Sequence, residues 1–240
     1  MKTILISGCS YGEIFYLKIL QEYIKEKFKV DRVVNISQIG SSIPRQIKAV
    51  MEWLANYDKP ELIIMPITHI TRYDESVREK FDVYNTYDHS LCASMDPYKD
   101  DEHVNRQFAP RVDTEQLNTL IKLKTLIYND VAAFNNFLSQ IILFSGWLQH
   151  KKINHLIFDM CNEFKAPINR IAKQKFLKDN RNIIDIFKFC GNNYMYQNLS
   201  NAERNKEMLD ESKKNVYHYG IESNKKLIDY LKSYIIDNRL

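Results

Sequence analysis

The sequence predicts a three-layer α/β/α domain in which a central parallel sheet lies between two sets of helices. Two observations carry that expectation. Short apolar runs alternate with segments of helical period, and three such strand-then-helix units begin within about the first 65 residues. The 240 residues are 45% hydrophobic and 12% aromatic against 27% charged, which is the composition of a globular chain able to bury a substantial core.

Lys2 to Ser7 is the first strand, and Ile14, Leu17, Leu20, Ile24 and Phe28 keep the helical period over Glu13–Phe28. Arg32–Ile36 forms a second short strand that runs into the small-residue loop Ser37-Gln38-Ile39-Gly40-Ser41-Ser42. Pro44 opens the next helix, which carries Ile47, Val50, Met51 and Leu54 toward Tyr57. Pro60 introduces the third strand, Leu62–Met65. From Thr68 to Arg111 neither period is sustained, so 70–112 reads as an insertion after that strand, a lid or substrate-binding element. A long helix over about 113–149 places Leu117, Leu120, Ile121, Ile127, Val131, Phe134, Leu138, Ile141 and Leu148 near one face, with a break expected at Gly146. Ile153–Met160 is the fourth strand, Pro167–Leu177 is helical, Ile183–Ile186 is the last strand, and Ile221–Ile236 is a closing amphipathic helix. No linker divides the chain, and one domain over 1–240 accommodates every element.

Several function classes find no support. The net charge of +4 arises from 34 basic and 30 acidic side chains spread along the chain, too diffuse to imply a nucleic-acid partner. The apolar run after Met1-Lys2 is shorter than the roughly 7–15 residues of a signal peptide, and the apolar stretch Phe134–Leu148 is interrupted by Asn135, Asn136, Ser139 and Gln140. A cytoplasmic location without membrane contact is therefore expected. Cys9, Cys92, Cys161 and Cys190 have the spacing of neither a zinc site nor a disulfide scaffold, and Asp88-His89 and Asp100-Asp101-Glu102-His103 lack ordered ligand spacing. No metal or cofactor is expected, and the oligomeric state is left open.

Chemistry concentrates at Ser7-Gly8-Cys9-Ser10-Tyr11-Gly12, where the first strand gives way to a helix. A serine there meets solvent at the carboxyl end of a strand, beside the positive end of a helix. The stretch satisfies G-x-S-x-G, but the nucleophile elbow of α/β-hydrolases follows a mid-chain strand rather than the first. By itself a Gly-x-Ser after a strand is more often the mark of a turn than of a nucleophile. Gly40 reads as a turn glycine, Thr68 and His69 as site-lining or ordinary strand-end polar groups, Arg72 as an anion ligand or an exposed ion pair, and Asp159 and Asp185 as capping or loop-fixing carboxylates.

Taken jointly and in chain order, four short blocks resemble the SGNH, or GDSL-type, hydrolases, a flavodoxin-like family. Gly8-Cys9-Ser10-Tyr11 stands where the family has Gly-Asp-Ser-Leu, and Gly40 stands at the glycine after the second strand. Pro66-Ile67-Thr68-His69 occupies the place of Gly-x-Asn-Asp, and Asn215-Val216-Tyr217-His218 that of Asp-x-x-His before the last helix. The resemblance implies Ser10 as nucleophile, His218 as general base and Asn215 at the position that orients it. It also implies an oxyanion site from the N–H groups of Ser10 and Gly40, with Thr68 in place of the family's asparagine and His69 beside it; Arg72 is near enough in sequence to bind an acidic substrate group there. The reaction so implied is metal-free hydrolysis or transfer of a small acyl ester, an O-acetylated carbohydrate being one such substrate. Cys9, Thr68 and Asn215 depart from the family pattern, which leaves a second reading: a scaffold of this type that has lost catalysis and serves in binding or structure. A nucleotide- or flavin-binding protein is less well supported, because Gly8 to Gly12 lacks the G-x-G-x-x-G spacing.

Overall fold

The computed structural model describes residues 1–9, 12, 14–38, 41–67, 72–76, 90–94, 130–159, 177–184 and 221–238. In chain order these form β1 (Thr3–Ile6), a 3₁₀ turn (Ile14–Tyr16), α1 (Lys18–Phe28), β2 (Arg32–Asn35), α2 (Ile43–Asn56) and β3 (Leu62–Ile67). There follow β4 (Arg72–Ser76), β5 (Ser90–Ser94), α3 (Asp130–His150), β6 (His155–Asp159), β7 (Ile183–Ile184) and α4 (Ile221–Asn238). β1, β2, β3, β6 and β7 make one sheet in the order β2-β1-β3-β6-β7, parallel at every pairing. The fold is α/β, with the doubly wound strand order that reverses direction between β1 and β3.

Strand residues alternate between two cores because successive side chains leave a strand on opposite faces. Ile4, Ile6, Leu62, Ile64, Leu156 and Phe158 meet Leu20 and Ile24 of α1 and Leu227, Ile228 and Leu231 of α4. Leu5, Ile63, Met65, Ile67 and Ile157 meet Ile43 and Val50 of α2 and Phe134, Phe137, Ile141, Phe144 and Leu148 of α3. Helices therefore cover both faces, which is why these strands are apolar throughout instead of alternating with polar residues. No described helix is long and apolar enough to cross a membrane.

The structure departs from the expected elements in four places. The first helix does not run unbroken from Glu13: Leu17 is extended (φ −63°, ψ 124°) and separates the 3₁₀ turn from α1. Phe15 is buried in the core while the Tyr16 hydroxyl donates to the Ser37 carbonyl at 3.3 Å, so the turn is held by contacts that a continuous helix would have to give up. β3 continues past Met65 through Pro66 to Ile67. Ile63 N–H points to Asn154 on the β6 side and the Ile64 carbonyl to Ser7 on the β1 side, so alternation turns the Pro66 nitrogen toward β1, beyond the last β1 pairing at Ile6. No ladder bond is lost there, and proline is tolerated. Within 70–112, an antiparallel pair of β4 and β5 sets Arg72 opposite Ser94 and Ser76 opposite Ser90, a local order that the aperiodic sequence conceals.

The fourth difference is Gly146, which does not break α3. A Cβ built there meets no atom within 4 Å. The rest of the expected long helix, 113–129, lies outside the described residues, as do 185–186 of the last strand and all but the final residue of the helix expected over Pro167–Leu177.

His155 and Ser145 fasten α3 to the start of β6. The His155 Nδ1 lies 2.9 Å from the Ile153 carbonyl, a contact only a protonated nitrogen can make, which leaves Nε2 to accept from the Ser145 hydroxyl at 2.8 Å. Burial pushes the His155 pKa below its ordinary 6.5. The unfolded chain then binds more protons below about pH 6.5, so the stability tied to neutral His155 is complete above that value and is lost as the pH falls toward the lower folded value. Urea unfolding at about pH 7.5 and about pH 5.5 should show a loss in acid that is smaller in His155→Gln, whose amide has no such titration. Gly146→Ala should raise unfolding stability by about 0.5–1 kcal/mol in the same assay, since alanine fits the open helix surface and restricts the unfolded chain.

Candidate functional site

In a parallel sheet of this order the ligand crevice lies outside the carboxyl ends of the strands, where β1 and β3 diverge. Three segments from distant parts of the sequence converge there. The first follows β1: Ser7 N–H donates to the Ile64 carbonyl at 3.0 Å, extending the β1–β3 edge by one bond, and Gly12 N–H donates to the Cys9 carbonyl at 2.8 Å. The chain on either side of Ser10 is thus tied together.

The second segment follows β2. Gly8 carbonyl accepts from Gln38 N–H at 3.0 Å and from the Ser41 hydroxyl at 3.0 Å, and Ser41 N–H donates to the Gln38 carbonyl at 3.1 Å. Gln38 and Ser41 are the residues flanking Ile39-Gly40, so the neighbours of Gly40 grip the residue two before Ser10. Asn35 Nδ2 donates to the Gly12 carbonyl at 2.8 Å while its Oδ1 accepts from Ser37 N–H at 2.9 Å, a second strap between the same loops. Arg45 Nε holds the Gln38 side chain through Oε1 at 2.7 Å. Ser42 caps α2 by accepting from Arg45 N–H at 3.4 Å, and the positive end of that helix faces the same rim.

The third segment is the end of β3. A Cβ on Gly8 would come within 2.8 Å of Pro66 Cγ and 3.2 Å of the Pro66 carbonyl oxygen. A Cβ on Gly12 would overlap Ser37 Oγ and lie 3.6 Å from Pro66 Cγ. Both glycines are there because the β1 loop runs against β3 and the β2 loop with no room for a side chain. Next to this corner, Asp159 ends β6 opposite Ile67, and it is the one acidic side chain fully buried among the described residues.

Of the residues singled out in the sequence, Ser10, Gly40, Thr68, His69, Asn215 and His218 lie outside the described residues. Arg72 is described for its backbone alone, in β4 opposite Ser94. The flanks of the first three blocks (Gly8, Cys9 and Gly12; Gln38 and Ser41; Pro66 and Ile67) are brought together. Sequence reasoning missed Asn35, Ser41 and Gln46. A signal existed for Gln46, which stands at the helical spacing of Ile43 and Val50 on the buried face of α2 and is itself 1% exposed.

Two other features lie at the opposite, amino-terminal ends of the strands. Ser145 and His155 have the separation of a nucleophile and its base, but at 0% and 1% exposure no substrate reaches them. A cleft of about 160 Å³ opens at the amino ends of β1, β3 and β6, with Phe28, Lys232 and Ile235 among its walls.

No family model matches the chain, and no curated protein or solved structure matches it. Gly8→Ala and Gly12→Ala should each cost about 1–3 kcal/mol, the usual penalty of overfilling a closely packed site. Denaturant melts will show this, and an alanine accepted at both positions without loss would contradict the close approach of the three segments.

Proposed function

We propose that the chain is a divergent SGNH/GDSL-type enzyme that hydrolyses or transfers a small acyl ester, with Ser10 as nucleophile and His218 as general base. One observation carries this reading. The hydrogen bonds of the Gly8 carbonyl to Gln38 and Ser41 join the segment before Ser10 to the segment around Gly40 at the carboxyl ends of the strands. The packing of Gly8 and Gly12 against Pro66 adds the strand that leads to Thr68. A turn with no chemical task does not require two distant loops and a strand end to be strapped together around it, and this corner is where sheets of this order hold ligands.

In this mechanism Ser10 Oγ forms a bond to the acyl carbon as the carbonyl π pair moves onto oxygen, and the hydroxyl proton passes to His218. The N–H groups of Ser10 and Gly40 stabilise the oxyanion, with the Thr68 hydroxyl as a shorter third donor. Collapse expels the alcohol, which takes the proton from His218, and water or a second alcohol then releases the acyl group by the same steps in reverse. Asn215 orients the imidazole without offering the charge an aspartate would. Loss of that charge costs on the order of 10⁴ in turnover in serine-protease triads, so a slow enzyme is expected. O-acetylated carbohydrates are the substrate class to screen, alongside simple acetyl esters.

The test is labelling by a fluorophosphonate, read by intact-protein mass, for wild type, Ser10→Ala and His218→Ala. One adduct on the wild type, absent from Ser10→Ala and greatly slowed in His218→Ala, is the expected result. Folded wild type that takes no label would favour the reading of a scaffold without catalysis.

A further inference from the structure

We propose that Ser41 and Gln46 are positioning residues that set the spacing between the Ser10 and Gly40 loops, a role that rests on the serine-hydrolase reading. The Ser41 hydroxyl has one proton and gives it to the Gly8 carbonyl at 3.0 Å, so its oxygen is left to accept from Gln46 Nε2 at 3.4 Å. The main-chain carbonyl of Gln46 accepts from Ser7 Oγ at 3.2 Å, which closes the circuit back to the end of β1. Donation therefore runs one way, from α2 through Ser41 to the residue two before Ser10, and each bond polarises the next. Ser7, Ser41 and Gln46 are 1%, 2% and 1% exposed, so water cannot replace a missing member.

Gln46 is an expensive residue for its place. It occupies a core-facing position of α2 where an apolar side chain would suffice, and its buried Oε1 finds no hydrogen-bond partner among the described residues. What it supplies is a donor aimed at Ser41. Ser41 adjoins Gly40, so the relay reaches from the proposed oxyanion glycine to the proposed nucleophile loop, and an error of about 1 Å in that spacing costs on the order of 10²-fold in rate.

The experiment is covalent inactivation of the full chain by a fluorophosphonate, in which Ser10 Oγ bonds to phosphorus, fluoride leaves with the P–F electron pair and the hydroxyl proton goes to the base. The rate at saturation, kinact, and the half-saturating concentration, KI, are measured for wild type, Ser10→Ala, Ser41→Ala, Ser41→Thr and Gln46→Met, each with a thermal melt. Ser41→Ala should lower kinact by about 10–100-fold with KI changed by less than about twofold, because position is altered while the probe's binding surface is kept. Ser41→Thr, which retains the hydroxyl, should recover most of the rate, and Gln46→Met should show a smaller loss in kinact. Wild-type kinact in folded Ser41→Ala, with Ser10→Ala inert, overturns the relay and leaves the hydrolase reading standing. Should Ser41→Ala not fold, wild-type kinact in Gln46→Met overturns it instead. A folded wild type that never reacts removes the hydrolase reading and the relay with it.

Discussion

β3 is the middle strand of the sheet, buried along its whole length. It is hydrogen-bonded to β1 along one edge and to β6 along the other, and all six of its residues from Leu62 to Ile67 are buried. A strand in that position needs an apolar layer on each face, and α1 with α4 on one side and α2 with α3 on the other supply it. With both faces sealed, polar chemistry is confined to the strand ends. The amino ends carry bonded turns such as the contact of Glu61 N–H with the Thr3 carbonyl, beside the cleft walled by Phe28, Lys232 and Ile235. The carboxyl ends collect the serines, the asparagine and the glycines.

The polar groups at that rim are costly to bury and are kept mainly by bonding to one another. Ser7, Ser41 and Gln46 bond across two separate segments, and the Gly8 carbonyl uses both of its lone pairs. Two oxygens in the same rim, Ser37 Oγ and Gln46 Oε1, are buried without partners among the described residues. A sequence shaped for stability alone would place apolar groups there, and departures of this kind collect where a protein does its work. The buried pair of Ser145 and His155 is the opposite case: its donors and acceptors are matched, it sits inside the apolar layers, and it serves to hold α3 on the sheet.

The strands and helices were largely legible because burial on two faces writes itself into a sequence as short apolar runs, and burial on one face as a helical period. β1, β2, β6, α2 and α4 are found within a residue or two of where the pattern puts them. β3 outruns the expected Leu62–Met65 through Pro66, whose missing N–H matters only if a neighbour is there to accept it, and whether β1 reaches that far is a property of the sheet. The β4–β5 pair was hidden because two five-residue strands of mixed polar and apolar residues are too short to set up a clear period. Gly146 suggested a break by its low propensity, yet the buried residues on either side of it, Phe144 and Leu148, hold the helix through.

By itself the sequence determined the class of fold, the alternation of strand and helix, and the strand-end position of Gly8 to Gly12, since each depends on local propensity and on periodicity over a few residues. Only the tertiary structure decided which distant segments meet. The grip of Gln38 and Ser41 on Gly8, the glycine contacts with Pro66 and the bond from the Ser7 hydroxyl to the Gln46 carbonyl all depend on β1 lying between β2 and β3. Strand order is settled by how the two apolar layers close over the whole sheet, a nonlocal balance that no single stretch of sequence contains.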